Sequence, residues 1–288
     1  MNYNTFHLPV FADLINLYFN LSKSSIVFDG TLGFGGHAES ILNCYPELKY
    51  VGFDRDEYAI HITKDRCRPF SNFNVIKASF SSIVQYIKLN NCCPTHILLD
   101  LGISSFQIDQ SNRGFSFQQD EPLDMRMDTE QALTAKVVLN TYSKDALMQL
   151  FIEEGDIRLP NRLVDVIIEQ REKEPLETTE DLKACIKQSF KFSSRQRYIS
   201  MMTRVFQAIR ITVNNEMGEL KSLLNGLLEF KGITVAIITF QPNEDRFVKQ
   251  FVKEHKLERI TKKPLQYSYK ECKSNPRAKS AKLRIFKY

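Results

Sequence analysis

Hydrophobic runs that end in polar residues alternate with amphipathic stretches along the first hundred residues of the chain. Four such runs, at residues 24–29, 49–54, 74–78 and 96–100, begin 22 to 25 residues apart. Buried strands that alternate with helices at this spacing are typical of a parallel, doubly wound sheet. The pattern therefore predicts an α/β fold whose ligand lies outside the carboxyl ends of the strands.

The alternation stops near residue 107, and helical patterns follow at residues 144–153, 160–172 and 178–190. The last pattern begins with Thr178 and ends its first turn near Asp181, which is typical of a capped helix start. We expect an all-helical domain inserted into the sheet domain. The predicted division is a first part of the sheet domain over residues 1–107, the insert over 108–202 and the second part over 203–288.

Strand and helix patterns return after the insert. Apolar residues at helical spacing predict one long helix over residues 203–228, and a strongly apolar run predicts a strand over residues 232–240. A helix at residues 244–255, a short strand near 257–261 and a final strand at 282–286 follow. The predicted sheet is Rossmann-like and mostly parallel, with seven strands.

The composition is ordinary for a soluble globular protein, with 43% hydrophobic and 25% charged residues. No apolar run is long enough to cross a membrane. The first residues lack the basic region and cleavage site of a signal peptide, so we expect a cytoplasmic protein. The six cysteines and five histidines show no metal-ligand spacing, which predicts free thiols and no metal.

Basic residues are concentrated in two zones, although the net charge is only +5. Residues 182–215 contain seven Lys or Arg and no acid, and residues 256–288 contain eleven basic residues against Glu258 and Glu271. Two basic zones favour a polyanion such as nucleic acid as a partner. A solvated basic surface without a partner explains the charge equally well.

The glycine-rich segment after the first predicted strand is the first candidate site. Asp29 ends the strand, and four glycines follow between Gly30 and Gly36. Glycine permits a turn with φ > 0 and the close approach of a ligand, and the helix that starts near His37 directs its free N–H groups at that ligand. The segment resembles the acid-x-Gly-x-Gly-x-Gly turn of class I methyltransferases, with Thr31 in the first glycine position. An ordinary tight turn is the alternative.

Asp54 ends the second predicted strand, 25 residues after Asp29. This is the spacing at which a carboxylate binds the ribose hydroxyls of a nucleotide. Because NAD and S-adenosylmethionine both carry such a ribose, the pair does not distinguish between them. Phe80 and Asp100 follow the third and fourth strands. Four residues that could contact a ligand therefore fall at predicted strand ends, and core packing explains this coincidence less easily than it explains any one of them.

Further motifs resemble one family along essentially the whole chain. The matching segments are residues 7–10, 29–37, 52–56, 100–109, 113–117, 122–128, 206–211, 213–214 and 275–284. On these segments the chain resembles the bacterial ribosomal RNA small-subunit methyltransferase H family, also called MraW. The resemblance implies a class I methyltransferase fold with an inserted helical domain and S-adenosylmethionine as the cofactor. It also implies methylation of the exocyclic N4 amine of a cytidine in the decoding centre of 16S ribosomal RNA.

The resemblance implies a role for each residue of the cofactor site. His37 and the glycines before it would hold the methionine end, Asp54 would bind the ribose, and Phe80 would pack near the adenine. Core packing is the alternative for Phe80, and helix capping or packing is the alternative for His37. The implied cofactor-binding residues are Gly33, Gly35, Gly36, His37, Asp54, Phe80, Asp100 and Gln107.

Methyl transfer to an aromatic amine needs an acceptor for an amine proton, because the nitrogen lone pair is delocalised into the ring. Positioning and electrostatics then supply most of the acceleration. Asp100 is our first candidate for the acceptor, followed by Ser104 or Ser105, and by Asp124. The alternatives are that the two serines cap a helix and that Asp124 pairs with Arg126.

Binding of ribosomal RNA needs basic side chains that contact phosphates beside a base turned out of its stack. The candidates are Arg195, Arg197, Arg204, Arg210, Lys279, Lys282 and Arg284. Internal ion pairs are the alternative for Arg204 and Arg210, which lie on the predicted long helix. We expect small-subunit ribosomal RNA, in the assembled or nearly assembled subunit, as the partner and no membrane, and we keep a homodimer open.

One segment departs from the family pattern. The family usually has Phe-His-Ser-Leu-Glu-Asp-Arg after the fifth strand, where this chain has Phe-Gln-Pro-Asn-Glu-Asp-Arg at residues 240–246. We expect this loop beside the base pocket. Two alternatives therefore stay open, namely the same chemistry on another RNA position and an RNA-binding assembly factor that keeps the cofactor without turnover. An NAD-dependent oxidoreductase is a third class, but we identify no acid or base for hydride transfer.

Overall fold

The structure is a computed structural model that describes residues 9–104, 108, 112–267 and 276–288. The chain divides into two compact units. One unit consists of Met1–Gly102 together with Met217–Tyr288, and it contains the sheet. The other unit consists of Ile103–Glu216 and is helical in its described residues.

The first unit is built on a seven-stranded sheet. Its strands are β1 (Ile26–Asp29), β2 (Lys49–Asp54), β3 (Phe73–Lys77), β4 (His96–Asp100), β5 (Thr234–Thr239), β6 (Glu258–Arg259) and β7 (Lys282–Lys287). The order across the sheet is β3-β2-β1-β4-β5-β7-β6. Strands β1 to β5 run parallel, and β7 is antiparallel to both of its neighbours. The predicted seven-stranded, mostly parallel sheet is confirmed.

The helices alternate with the strands in the first unit and follow one another in the second. In chain order they are α1 (Ala12–Phe19), α2 (Gly36–Cys44), α3 (Glu57–Arg66), α4 (Ile83–Asn90), α5 (Ala135–Thr141), α6 (Lys144–Glu153), α7 (Asn161–Lys173), α8 (Thr179–Ser189), α9 (Arg195–Val213), α10 (Glu216–Gly226) and α11 (Pro242–Glu254). Short 3-10 turns occupy Phe80–Ser82, Leu227–Glu229 and Pro276–Lys279. Within the described ranges, no helix combines the length and the hydropathy needed to cross a bilayer.

The central strands are apolar on both faces because helices cover both sides of the sheet. Val27 and Leu98 point into a core that includes residues of α1 and α2. Phe28 and Ile97 point into the opposite core, which includes residues of α4, α10 and α11. Since β1, β2 and β4 are parallel, the acids that end them lie along one edge of the sheet.

The second unit has its own core, in which α5 to α9 bury side chains such as Leu139, Leu147 and Val205. The predicted capped start at Thr178 is confirmed. A capping box forms there, because the Thr178 side chain accepts a backbone N–H and Asp181 bonds back to the Thr178 N–H. Helix α5 was absent from the sequence-based prediction.

The prediction of one long helix over residues 203–228 is wrong. The chain forms α9 and α10 instead, and the break falls at Asn214 and Asn215. Asn214 is fully buried, and its side-chain amide binds the backbone of Met125 and Met127. Asn215 adopts a left-handed φ of 49°, which ends a helix. The apolar periodicity continues across the break and conceals it.

The boundaries between the two units along the chain differ from those that the sequence suggested. They divide at 102/103 and 216/217, whereas the sequence suggested 107/108 and 202/203. The reason lies in α9, whose residues Met202, Val205 and Ile209 pack into the core of the helical unit.

Candidate active site at the carboxyl edge of the sheet

The chain leaves β1 through the glycine turn (residues 30–36), which connects the strand to α2. Gly33 and Gly35 adopt left-handed φ angles of 50° and 74°, which glycine adopts at little cost. Gly35 is the N-cap of α2, and glycine has no side chain with which to cap the helix. Because the first N–H groups of a helix have no partners inside it, the start of α2 is a site for an anionic group.

The Asp54 carboxylate helps to shape the glycine turn. Its Oδ2 accepts the Gly33 N–H at 2.7 Å, and its Oδ1 accepts the Asp56 N–H at 2.8 Å. Burial raises the pKa of Asp54, and these two hydrogen bonds oppose the shift. Each carboxylate oxygen keeps a second lone pair, so Asp54 can still accept a ribose hydroxyl.

Asp29 is buried behind the glycine turn. Its Oδ1 accepts the Thr31 N–H at 3.0 Å, and its Oδ2 accepts the Tyr50 hydroxyl at 2.8 Å. Burial raises the pKa of Asp29 to about 6, although His37 opposes the shift. Sequence reasoning missed Tyr50, which becomes a neighbour of Asp29 only through the pairing register of β1 with β2.

His37 and Asp100 face each other at the carboxyl edge. Nε2 of His37 lies 3.5 Å from Oδ2 of Asp100, which is long for a hydrogen bond. Both ring nitrogens of His37 and Oδ1 of Asp100 are buried without a hydrogen-bond partner among the described residues. Buried polar atoms without partners are costly and rare, so this pair is suited to a ligand that supplies the missing bonds.

Phe80 lies in the 3-10 turn after β3 and is 7% exposed. The ring packs with Phe53 and Leu99 in the core, on the face that α4 covers. A Cβ on Gly30 would lie 2.7 Å from Cβ of Phe80, so the glycine there makes room for the aromatic residue. The geometry favours core packing for this ring, and the adenine contact stays a prediction.

The second-rank candidates for the proton acceptor lie in the helical unit. Asp124 forms a two-pronged ion pair, in which Nε and Nη2 of Arg126 each donate to a different carboxylate oxygen at 2.8 Å. Burial alone would raise the pKa of Asp124, but the bonds and charge of Arg126 lower it. The Ser104 carbonyl accepts the Ile108 N–H at 3.3 Å. Ser105 and Gln107 lie outside the described residues.

The basic candidates separate into paired and unpaired residues. Nζ of Lys282 and Nε of Arg284 lie 3.1 and 2.7 Å from the Asp245 carboxylate, so both belong to an ion-pair cluster. Arg210 pairs with Glu216 at 2.7 Å, as the alternative proposed. These three residues are engaged inside their own units.

The remaining basic candidates are exposed. Arg204 donates to the Asp156 carbonyl at 3.2 Å. Arg195, Arg197 and Lys279 have no ion pair with any described residue. Among the basic residues that the sequence suggested, the side chains of Arg195, Arg197 and Lys279 therefore remain available for an external anion.

The segment that departs from the family pattern forms the start of α11. Gln241 is the N-cap and is 7% exposed, and its side chain forms a capping box with Glu244. Glu244 Oε2 accepts the N–H groups of Phe240 and Gln241 at 2.9 and 3.1 Å. Proline at the first helical position followed by an acid was the available signal for this cap.

The fold and the site together define a class of protein. A parallel sheet with antiparallel β7 beside β5, a glycine turn after β1 and acids at the ends of β1, β2 and β4 form the arrangement of class I methyltransferases. The cofactor of this class, S-adenosylmethionine, fits the residues present. The start of α2 can receive its carboxylate, and Asp54 can receive its ribose. The unpartnered oxygen of Asp100 can accept a hydrogen bond either from its ammonium group or from the amine of a substrate.

The chain belongs to the MraW methylase family, whose model matches residues 4–288. It is 38% identical over 290 residues to the ribosomal RNA small subunit methyltransferase H of Persephonella marina, covering 98% of both chains. It is 40% identical over 285 residues to the protein of the same name from Picosynechococcus, covering 97% of this chain and 95% of the relative.

Among solved structures, an rRNA methylase from Streptococcus thermophilus is similar over 95% of this chain and 93% of its own, with 11% identity and a TM-score of 0.42. Agreement at this level carries no argument about function. The assignment of this chain to the methyltransferases rests on its sequence family and on the geometry of the site.

Proposed function

We propose that this protein transfers the methyl group of S-adenosylmethionine to the exocyclic N4 amine of a cytidine in the decoding centre of 16S ribosomal RNA. Relatives that match it over nearly their whole length are named ribosomal RNA small subunit methyltransferase H. The observation that carries the chemistry is the buried, unpartnered Oδ1 of Asp100 at the end of β4. The bound cofactor would supply an electrophilic methyl group on its sulfonium.

Asp100 would act on the amine of the target base. Its carboxylate would accept a hydrogen bond from one amine N–H, which makes the nitrogen lone pair more available for attack. As the new N–CH₃ bond would form, the S–CH₃ bond of the cofactor would break and S-adenosylhomocysteine would leave with the bonding electrons. The nitrogen would then carry a positive charge and would lose one proton to the carboxylate. A fixed carboxylate aimed at developing positive charge stabilises the transition state without reorganisation. The engaged oxygens of Asp124 leave Asp100 as the preferred acceptor.

Arg195 and Arg197 would contact the phosphates of the RNA. Both lie in the first turn of α9, inside the stretch of residues 182–215 that contains no acid. A base inside a stacked helix cannot reach a buried carboxylate, so the target must turn out while flanking phosphates are held. We propose the assembled or nearly assembled small subunit, in the cytoplasm, as the substrate. A homodimer stays a prediction.

Methyl transfer from labelled S-adenosylmethionine to small subunits from a strain that lacks the activity tests this function. The labelled nucleoside is then identified by mass spectrometry. We expect label on the N4 amine of a decoding-centre cytidine. Label on another nucleoside would favour the alternative RNA position, and cofactor binding without transfer would favour an assembly factor.

A further inference from the structure

Helix α3 holds the glycine turn through a fully buried threonine. The Thr63 hydroxyl donates to the Gly33 carbonyl at 2.7 Å, and the side chain is 0% exposed. The N–H of the same glycine donates to Asp54 at 2.7 Å. Both backbone polar groups of Gly33 are therefore bound by side chains, one from the end of β2 and one from α3.

The methyl group of Thr63 sets the space at Gly35. A Cβ added to Gly35 would lie only 2.6 Å from Cγ2 of Thr63. Gly35 has a left-handed φ of 74° and is the N-cap of α2. One side chain therefore contacts both left-handed glycines, with its hydroxyl on Gly33 and its methyl group against Gly35.

Arg66, three residues further along α3, holds the next part of the turn. Its Nη1 donates to the Phe34 carbonyl at 3.0 Å, and its Nε donates to Oε2 of Glu39 at 2.9 Å. Glu39 lies in the first turn of α2. The Arg66 side chain is 10% exposed, so these bonds are largely shielded from water. Arg66 thus connects the glycine turn to the helix that follows it.

We propose that Thr63 and Arg66 are positioning residues for the cofactor. They fix the carbonyl groups of Gly33 and Phe34, so that the N–H groups at the start of α2 are already directed at the methionine end of S-adenosylmethionine. A turn that is ordered before the ligand arrives loses less conformational freedom on binding. The inference rests on the proposed assignment of the cofactor to the glycine turn.

The replacement Thr63→Val tests the hydroxyl, because it keeps the shape and removes only the hydrogen bond to Gly33. We expect the Kd of S-adenosylhomocysteine, measured by titration calorimetry, to rise about 3- to 10-fold, as the loss of one buried hydrogen bond implies. Thr63→Ser keeps the hydroxyl and should bind within about twofold of the wild type.

Thr261→Val is the matched control. Thr261 is also a buried threonine of the sheet unit, and its hydroxyl is bonded to the backbone of Ile285, away from the glycine turn. We expect this variant to lower the melting temperature as Thr63→Val does and to leave the Kd unchanged. If Thr63→Val does not fold, Arg66→Gln replaces it in the same Kd measurement, because this variant removes the guanidinium that donates to the Phe34 carbonyl.

Steady-state kinetics separate positioning from a general loss of structure. In Thr63→Val, KM for S-adenosylmethionine should rise with Kd, while kcat at saturating cofactor stays within about twofold of the wild type. A wild-type Kd in Thr63→Val, or a Kd in Thr63→Ser as weak as in Thr63→Val, would overturn this inference alone. Absence of S-adenosylhomocysteine binding by the wild-type protein would overturn the proposed function as well.

Discussion

The Asp100 carboxylate lies 3.5 Å from the His37 imidazole, measured from Oδ2 to Nε2, and its other oxygen is buried without a partner among the described residues. Asp100 ends a strand and His37 lies in the first turn of a helix, so two different elements bring these groups together. Two polar side chains with unused bonding capacity at this edge are the centre of the proposed site.

Replacing Asp100 with Asn keeps the size of the side chain and removes its charge. We expect the single-turnover rate of methyl transfer to fall at least about 100-fold, since a general base contributes about 10²- to 10⁴-fold. The Kd of S-adenosylhomocysteine should rise less than about tenfold, because the amide oxygen still accepts a hydrogen bond. Asp13→Asn, on the exposed face of α1, is the control. A wild-type rate in Asp100→Asn would contradict the assignment.

Replacing Asp54 with Ala should weaken cofactor binding by at least about tenfold, because the charge-assisted bonds that we propose to the ribose would be lost together with the support of Gly33. Equilibrium dialysis with S-adenosylhomocysteine measures the effect. Asp54→Asn keeps an acceptor for one backbone N–H and should fall between the wild type and Asp54→Ala. Unchanged affinity in Asp54→Ala would refute the ribose assignment.

Asp29 should make folding stability depend on pH. Burial raises its pKa from 3.8 to about 6, so the folded state holds this proton more tightly than the unfolded chain. The folded state therefore loses stability as pH rises from about 4 to about 6, by about 3 kcal/mol in all. Urea unfolding of wild type and Asp29→Asn at pH 4 and pH 7 measures this contribution.

Asp29→Asn has no titrating proton at this position and does not lose this stability as pH rises. Its free energy of unfolding relative to that of the wild type should therefore be higher at pH 7 than at pH 4. Asp54, whose pKa is also raised by burial, is present in both proteins and cancels in the comparison. A stability difference that is the same at both pH values would show that Asp29 does not titrate in this range.

Asp245→Asn should lower the free energy of unfolding at pH 7 by about 1 to 3 kcal/mol, because Arg284 and Lys282 would lose their counter-charge. Burial alone would raise the pKa of Asp245, but bonds from these two residues lower it. The stabilisation is therefore present above the unfolded value of 3.8 and is lost as pH falls through the folded pKa. Thermal unfolding at pH 7 and pH 3 should show the deficit shrinking.

Glu47→Gln is the control for that experiment. Glu47 pairs with Lys23 at 2.9 Å, but both side chains are largely exposed, so its loss should cost less than about 0.5 kcal/mol. An equally small cost for Asp245→Asn would mean that Arg284 and Lys282 do not depend on Asp245, and it would return both to the candidates for RNA contact.

Reversing the charge of Arg195 or Arg197 to Glu should weaken binding to small subunits and reduce the slope of log Kd against log salt by about one for each residue. Filter binding at several salt concentrations measures the slope. Lys144→Glu is the control, since Lys144 is an exposed basic residue of the same unit that already pairs with Asp165 at 2.7 Å. An unchanged slope in both arginine variants would remove this turn of α9 from the RNA surface.

Local pattern alone located most of the sheet. Apolar runs that end in acids predicted β1, β2 and β4 within a residue or two, because a strand buried on both faces must be apolar throughout. The same pattern also placed Asp29, Asp54 and Asp100 along one edge of the sheet. The pattern also predicted the inserted helical unit, and the family resemblance added the cofactor.

The amino-acid sequence thus determined by itself where the elements lie, which edge carries the acids and which family the chain belongs to. Only the tertiary structure decided which polar groups are already occupied. Arg284 binds Asp245, which lies 39 residues away, and Thr63 binds Gly33, which lies 30 residues away. The physical reason is that periodicity reports the burial of one element at a time, whereas a hydrogen bond or ion pair depends on the register and packing of two.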